Sequence, residues 1–413
     1  MIMRTFIATS SILLFCFSVA AQPANDPSYG QLVQQRCPGA DIVKVQRADF
    51  DLLEVEYLCH GRKVEMGIHN GAVVYEESEG KPDTDAMLRI RRSLDKKYPG
   101  WLIDEVSLIT AKDSTFVKAE VVLDGVEHNV YFTTTGRKFN PLSMLAAHGW
   151  SVEELAAVAL PGAPYDLLKP DSIYTLPELL REVSDIALGG PNTVYCVQDE
   201  LGAVFEFDLI AEAIINVHRF TDLGDFEGIA VNGDRITILR SDGKLYTLDC
   251  ITGELVSEQH YTLPSLNYEG LFSNSNGDLF IVSKEAPVVG ESNKRLIHRI
   301  HNNKQQLHRT LDATEVADAF ARTYPTLAER NVRFSPSAAA VHPVTGQLYV
   351  LSASDRLLTV YDDTLRLVIP LPAALYYKPE GLAFHTNGDL LISNEGDKKG
   401  LVPANVMRFT YRE

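Results

Sequence analysis

Asp225-Phe226-Glu227-Gly228-Ile229-Ala230-Val231, closed by Asn232-Gly233-Asp234, decides the fold, because the stretch returns. Asn267-Tyr268-Glu269-Gly270-Leu271-Phe272 precedes Asn276-Gly277-Asp278, and Lys378-Pro379-Glu380-Gly381-Leu382-Ala383-Phe384 precedes Asn387-Gly388-Asp389. Two weaker copies share the frame. One is Glu182-Val183-Ser184-Asp185-Ile186-Ala187; the other is Ser335-Pro336-Ser337-Ala338-Ala339-Ala340-Val341 before Thr345-Gly346-Gln347. Glu227 and Glu269 are 42 residues apart, and Ser184 to Glu227 and Ser337 to Glu380 are each 43. Short apolar runs at that period, joined by Asn-Gly turns that accept positive φ, are the signature of a mainly-β propeller with one blade per repeat.

Five repeats predict five blades. Six is the alternative if the 68 residues from Glu269 to Ser337 hide another. That extra length reads instead as a loop over Ala286–Lys294 and a helix over Ala313–Tyr324, so five is preferred. The last repeat runs out after its third strand, while Ile173-Tyr174-Thr175-Leu176 stands alone before the first. This strand is expected to complete the last blade and so remove the free sheet edges.

The chain before residue 172 has three further parts. Met1–Ala21 carries Arg4, an apolar core over Ile7–Val19 and the small residues Val19-Ala20-Ala21. That is the pattern of a cleaved secretory signal, and its core is short for a membrane span. A periplasmic or secreted location without a membrane anchor is therefore expected. Residues 27–140 contain a duplication, each unit reading as a helix ended by Pro-Gly and then three strands. Residues 141–171 form a helical linker, with Leu142–Ala147 and Val152–Leu160 followed by Pro161, Gly162, Pro164 and Pro170. The propeller takes 172–413.

In the second helix Ala86, Leu88, Ile90 and Leu94 offer an apolar stripe, and Lys81, Arg89, Arg91, Arg92, Lys96 and Lys97 a basic flank. That flank suits either an acidic partner or solvent. The net charge of −17 argues against nucleic acid and anionic membranes as partners. Of five cysteines, Cys16 lies in the signal and four remain, an even number suited to an oxidising compartment. Cys37 ends the first helix and Cys59 a strand beneath it, so a Cys37–Cys59 disulfide is expected. Cys196 and Cys250 lie in different blades and are expected to be buried and unpaired.

The duplicated N-terminal units resemble PepSY-like domains of exported bacterial proteins, which implies an inhibitory or binding module. The propeller repeats resemble the SdiA-regulated family of exported propellers. The resemblance rests on Glu182-Val183-Ser184, Phe226-Glu227-Gly228, Tyr268-Glu269-Gly270, Ser335-Pro336-Ser337-Ala338 and Pro379-Glu380-Gly381. Asp185 and Ala338 depart from it, standing where glycine is usual. That family implies the fold and an exported location, and no particular activity.

The first strand of each blade begins on the face where the second ends. Glu227, Glu269 and Glu380 should therefore share a rim with Asp199, Arg240, Lys284 and Glu395, the candidate ligand-binding residues. Arg240 and Lys284 are expected to pair with Glu227 and Glu269. In blade five the partner position is Glu395, and two carboxylates so close repel unless a cation intervenes. Lys378 or Lys398 can supply it; otherwise a hard cation such as Ca²⁺, held by Glu380 and Glu395, can. The chain has no G-x-S-x-G, H-E-x-x-H or phosphate-binding glycine loop. His298, His301 and His308 are not expected to converge, and His342 and His385 read as turn residues. No catalytic residue is assigned. The expected role is binding of a small molecule, a peptide or an envelope protein, with a Ca²⁺-dependent propeller hydrolase of the lactonase or phytase type as the alternative.

Overall fold

Five antiparallel sheets of four strands account for the chain from residue 172 onward. The computed structural model describes residues 28–47, 53–69, 71–97, 100–111, 114–123, 126–139, 149–158, 160, 162–274, 276–328, 332–397 and 402–412. The signal-like segment, Leu142–Ala147 and Lys398 lie outside the described residues.

The inner strands of the blades are Val183–Gly190, Phe226–Asn232, Tyr268–Ser273, Pro336–Val341 and Pro379–Phe384. Each packs against the next, and that of blade five packs against that of blade one, so the ring has five blades. A middle strand lies between the strands of its own sheet and is flanked by two neighbouring blades, so both its faces are covered. Leu348–Ser352 and Leu390–Asn394 are accordingly buried at every position, whereas the outermost strand Ala213–Arg219 is mostly exposed. The extra length of blade three is a loop over 284–293 and the helix Ala313–Thr323. Asp312 caps that helix through the N–H of Thr314, and Val316 and Phe320 bury its apolar side.

Ser172–Thr175 completes blade five, antiparallel to Asn405–Phe409, with Ile173 opposite Met407 and Tyr174 opposite Val406. Gly277 and Gly388 take φ of +84° and +93° in the turns after the inner strands, where a side chain would be strained. The aspartate that closes each of these turns does more than reverse the chain. Asp389 accepts from Arg408 at 2.5 Å and from the N–H of Tyr411 at 3.0 Å, and Asp278 pairs with Arg299 at 2.6 Å. The turn is thereby tied to the third strand of its own blade.

The N-terminal part is one seven-stranded antiparallel meander. The first unit has four strands, Asp41–Arg47, Leu53–Cys59, Arg62–His69 and Ala72–Glu79, one more than the sequence pattern suggests. The second has three, Leu102–Ala111, Ser114–Leu123 and Val126–Thr133, and its fourth shrinks to a single bridge between Phe132 and Lys138. In the helix Thr84–Lys97 the buried residues Ala86, Ile90 and Leu94 follow the helical period, with Met87 packed beside them. Leu88 departs from the expected stripe and is 50% exposed. It stands two residues from both Ala86 and Ile90, on the far side of the helix.

Cys37 and Cys59 are disulfide-bonded, with Cα atoms 5.9 Å apart. Cys196 and Cys250 are unpaired; Cys196 is buried as expected, but Cys250 sits in a blade-two turn and is only half-buried. At the junction, Ser151 and Glu154 form a reciprocal cap on the short helix Val152–Ala157. Trp150 and Leu155 pack into the core shared by blades three and four. The seven-stranded sheet meets the propeller at blade five, where Val402 joins the cluster of Tyr75, Ile109, Phe116 and Tyr131.

Two outcomes follow from this architecture. A chain beginning at residue 177 lacks the closing strand that a chain beginning at 169 retains, and should melt lower by roughly 10 °C or more. Equal melting temperatures would mean that the ring closes another way. Cys37→Ser with Cys59→Ser should destabilise the N-terminal unit by about 3 kcal/mol, read by denaturant titration, because the unfolded chain regains the freedom of the cross-linked loop.

Candidate functional site

All five blades break strand register at the same repeat position. Phe226 lies opposite Arg240 and Gly228 opposite Leu239, so Glu227 is an extra, bulged residue. The same slip falls at Ser184, Glu269, Ser337 and Glu380. A bulge re-aims the side chain it carries. Here it repeats around the ring, and Ser184, Glu227, Glu269, Ser337 and Glu380 form one circle on the face where the inner strands begin, called here the upper face.

In blades two and five the residue after the bulge lies against a neighbouring blade's backbone. A Cβ at Gly228 would stand 2.7 Å from the carbonyl of Glu269, and one at Gly381 would stand 2.9 Å from the Cα of Asp185. Blade one carries Asp185 at this position, 2% exposed. Its Oδ1 accepts from the N–H of Ile186 at 2.8 Å and more weakly from that of Leu382 at 3.4 Å, and its Oδ2 from that of Ile229 at 3.0 Å. One carboxyl thus clasps blades one, two and five. Burial drives its pKa well above the usual range, the three N–H groups oppose the shift, and Glu380 adds to it.

The circle is only partly neutralised. Lys284 pairs with Glu269, as the sequence suggests, and it also faces Glu380 and Glu227. Burial opposes the lysine's charge, but the three glutamates outweigh it and raise its pKa. Lys378 stands between Glu380 and Glu395, at 3.2 Å from the former and at 2.9 and 3.0 Å from the two oxygens of the latter. It supplies the neutralisation that the sequence left to a lysine or to Ca²⁺.

Arg240 is turned elsewhere, contrary to expectation. It forms a fork with Asp242, Nε at 3.0 Å and Nη2 at 2.7 Å, and reaches the Tyr246 hydroxyl at 3.3 Å. The reason is local. Asp242 follows two residues later in the turn, whereas the bulge sets Phe226, not Glu227, opposite Arg240. Among the described residues Glu227 consequently has no ion-pair partner. The charge imbalance expected in blade five lies in blade two.

The environment raises the remaining carboxyls. Burial, then Glu269, Asp225 and Glu380, hold Glu227 well above the usual range, with Lys284 opposing. Burial lifts Glu269 to about 7 against the pull of Lys284. Burial, then Glu182 and Glu200, lifts Asp199 to about 6. Several oxygens here are buried and lack a hydrogen-bond donor among the described residues: Ser184 Oγ, Asp199 Oδ1 and Asn267 Oδ1. Neither Ser184 nor Asn267 stands out in the sequence as a site residue, and the only signal for Ser184 was its place in the repeat.

The histidines do not gather. His301 binds Asp278, His308 stacks edge-on against Phe280, and His298 is buried in its blade. His342 Nδ1 accepts the N–H groups of Val344 and Thr345 at 3.1 Å, a turn role. A cavity of about 300 Å³ lies along the ring axis below the bulges, lined by apolar side chains such as Ile229, Leu271, Phe272 and Leu382. It holds none of the rim carboxylates, so the polar chemistry and the axial cavity are separate features.

No protein-family model matches the chain, and no curated protein does. Solved structures similar to it include a Myxococcus xanthus glutaminyl cyclase, at 13% identity and a TM-score of 0.41 over 59% of this chain and 95% of that one. A luciferin-regenerating enzyme is similar at 12% identity and a TM-score of 0.39, over 59% and 95%. A Staphylococcus aureus virginiamycin B lyase is similar at 11% identity and 0.32, over 90% and 99%. Likenesses this distant concern fold alone.

The raised carboxyls give a pH signature of known sign. Each keeps its proton to a higher pH when folded than when unfolded, so stability falls as the unfolded form ionises first. For Glu269 the window runs from 4.5 to about 7, and for Asp199 from 3.8 to about 6. The melting temperature should therefore decline from pH 5 to pH 7 at constant ionic strength. Glu227→Gln should flatten the decline and raise melting at pH 7.5 by roughly 2–4 °C, as for about 1 kcal/mol in a domain of this size. Lower melting for Glu227→Gln at that pH would show that the carboxylate is paired in solution.

Proposed function

We propose that the chain is an exported binding protein, a propeller of the SdiA-regulated type behind a PepSY-like module, and that its ligand docks on the upper face. The observation that carries this reading is the unpaired Glu227 among buried oxygens that lack donors, on a face where the equivalent glutamates each hold a lysine. Unsatisfied buried acceptors cost stability, and a ligand that satisfies them recovers it. The signal-like segment, the disulfide and the acidic charge suit a cell-envelope or extracellular setting.

A second reading keeps the upper face catalytic, as a Ca²⁺-dependent hydrolase. It is favoured by the closeness of Glu380 and Glu395 and by Asp199, whose pKa of about 6 suits a general base. Ca²⁺ would polarise the bond to be cleaved. Lys378 already occupies the space between Glu380 and Glu395, so the metal fits there only if the ammonium withdraws.

The two readings part in one experiment. The protein is assayed with chromogenic esters, lactones and phosphomonoesters, with and without millimolar Ca²⁺, and its melting is followed in parallel. Binding alone predicts no turnover above buffer and no Ca²⁺-dependent rise in melting temperature. Ca²⁺-dependent turnover that Glu380→Gln abolishes would establish the hydrolase instead.

A further inference from the structure

Hydrogen-bond supply and demand on the upper face point to the ligand's chemistry. Ser184 Oγ, Asp199 Oδ1 and Asn267 Oδ1 are buried oxygens without a hydrogen-bond partner among the described residues, and the half-buried Glu227 has no ion-pair partner there. Ser184 is 4% exposed and occupies the same bulge position in blade one as Glu227 in blade two, so both side chains belong to one circle. Asp199 follows the second strand of blade one, and its amide binds Glu182. Asn267 leads into the inner strand of blade three and lends its amide to Glu269. A ligand that fits this set brings several donors and positive charge.

The lip around this arc is apolar. Leu223, in the loop leading into blade two, is 76% exposed, and Leu266, in the loop leading into blade three, 75%. Val288 and Val289 are 65% and 88% exposed, and the Val288 N–H binds the carbonyl of Pro264, which holds their loop beside Leu266. The N-terminal sheet meets the propeller at blade five and leaves these tips uncovered. Exposed aliphatic tips on the same face as the half-buried, unpaired Glu227, whose carboxyl can release its proton to solvent when a cation arrives, suit a ligand with a cation at its centre and apolar groups to either side. A divalent metal would use the oxygens but not the tips.

We infer that the arc from blade one to blade three takes a basic side chain of a polypeptide, the cation entering beside Glu227 and the flanking apolar residues resting on Leu223, Leu266, Val288 and Val289. The inference rests on the binding reading of the same face. Arginine fits best, because its guanidinium carries five N–H donors in a rigid fork and remains charged when desolvated.

The probe is the capped peptide acetyl-Gly-Leu-Arg-Leu-Gly-amide, titrated calorimetrically into the full-length protein at low and at physiological salt. Comparison ligands are the same peptide with neutral citrulline in place of arginine, butylammonium, and CaCl₂. The arginine peptide should bind, and the citrulline peptide should bind at least about 10-fold more weakly, as expected for a lost charge-assisted hydrogen bond. Glu227→Gln should weaken the arginine peptide by a similar factor, Leu266→Ser by several-fold, and Glu254→Gln, on the outer side of blade two, should leave it unchanged. If Glu227→Gln folds poorly, Glu227→Asp, which withdraws the charge by one methylene, should show the same loss. No heat from the peptide, equal binding of both peptides, or equal binding by wild type and Glu227→Gln would overturn the inference while leaving a binding role for another ligand. Butylammonium binding as tightly as the peptide would replace the polypeptide by a free amine, and tighter Ca²⁺ binding would replace it by a metal; either overturns it.

Discussion

The structure depends on how closely five inner strands approach one axis. At two of the residues that follow a bulge, backbone meets backbone: Gly228 against the carbonyl of Glu269, Gly381 against Asp185 and Ile186. No larger side chain fits at Gly228 or Gly381 without moving a neighbouring blade. At Asp185 the side chain reaches over the adjacent strands instead of between them, and it answers N–H groups on three blades. The repeated Glu-Gly pair is thus a packing device and a chemical one together. Its glycine lets the strands converge, and its glutamate, lifted out of register by the bulge, is delivered to the upper face.

That convergence sets the electrostatics. Glutamates brought to one circle cannot all remain ionised cheaply in a partly dry site. Two are held by ammonium groups, Glu269 by Lys284 and Glu380 by Lys378. Glu227 is left to burial and to its carboxylate neighbours, which is why its proton is held to an unusually high pH. Buried polar groups without partners are uncommon in folded proteins, and Ser184 Oγ, Asp199 Oδ1 and Asn267 Oδ1 on the upper face are among them. The axial cavity below the bulges is lined mainly by apolar side chains and carries none of the rim carboxylates.

Much of the architecture is legible in the chain itself, because a propeller is a one-dimensional repetition. The period, the Asn-Gly turns and the orphan strand at Ile173 predict five blades and their closure without knowledge of any contact. The Cys37–Cys59 bridge and the blade-three helix are likewise local inferences, from a helix end, a strand end and an apolar period. The shared rim of Glu227, Glu269 and Glu380 also follows from repetition, since equivalent positions in equivalent blades face the same way.

Tertiary structure alone decided the partners. Whether Arg240 answers Glu227 or Asp242 depends on a one-residue bulge that no pattern of residue types reveals, and the fork to Asp242 wins because it forms within a single turn. Whether Asp185 is a tolerated exception or a clasp depends on N–H groups 44 and 197 residues away. The same holds for Lys378, one lysine among many in sequence and a shared counter-ion once the chain folds. Repetition fixes where side chains point, since it is a property of the local chain. Pairing is settled by distances of a few ångströms between strands that only the closed ring brings together.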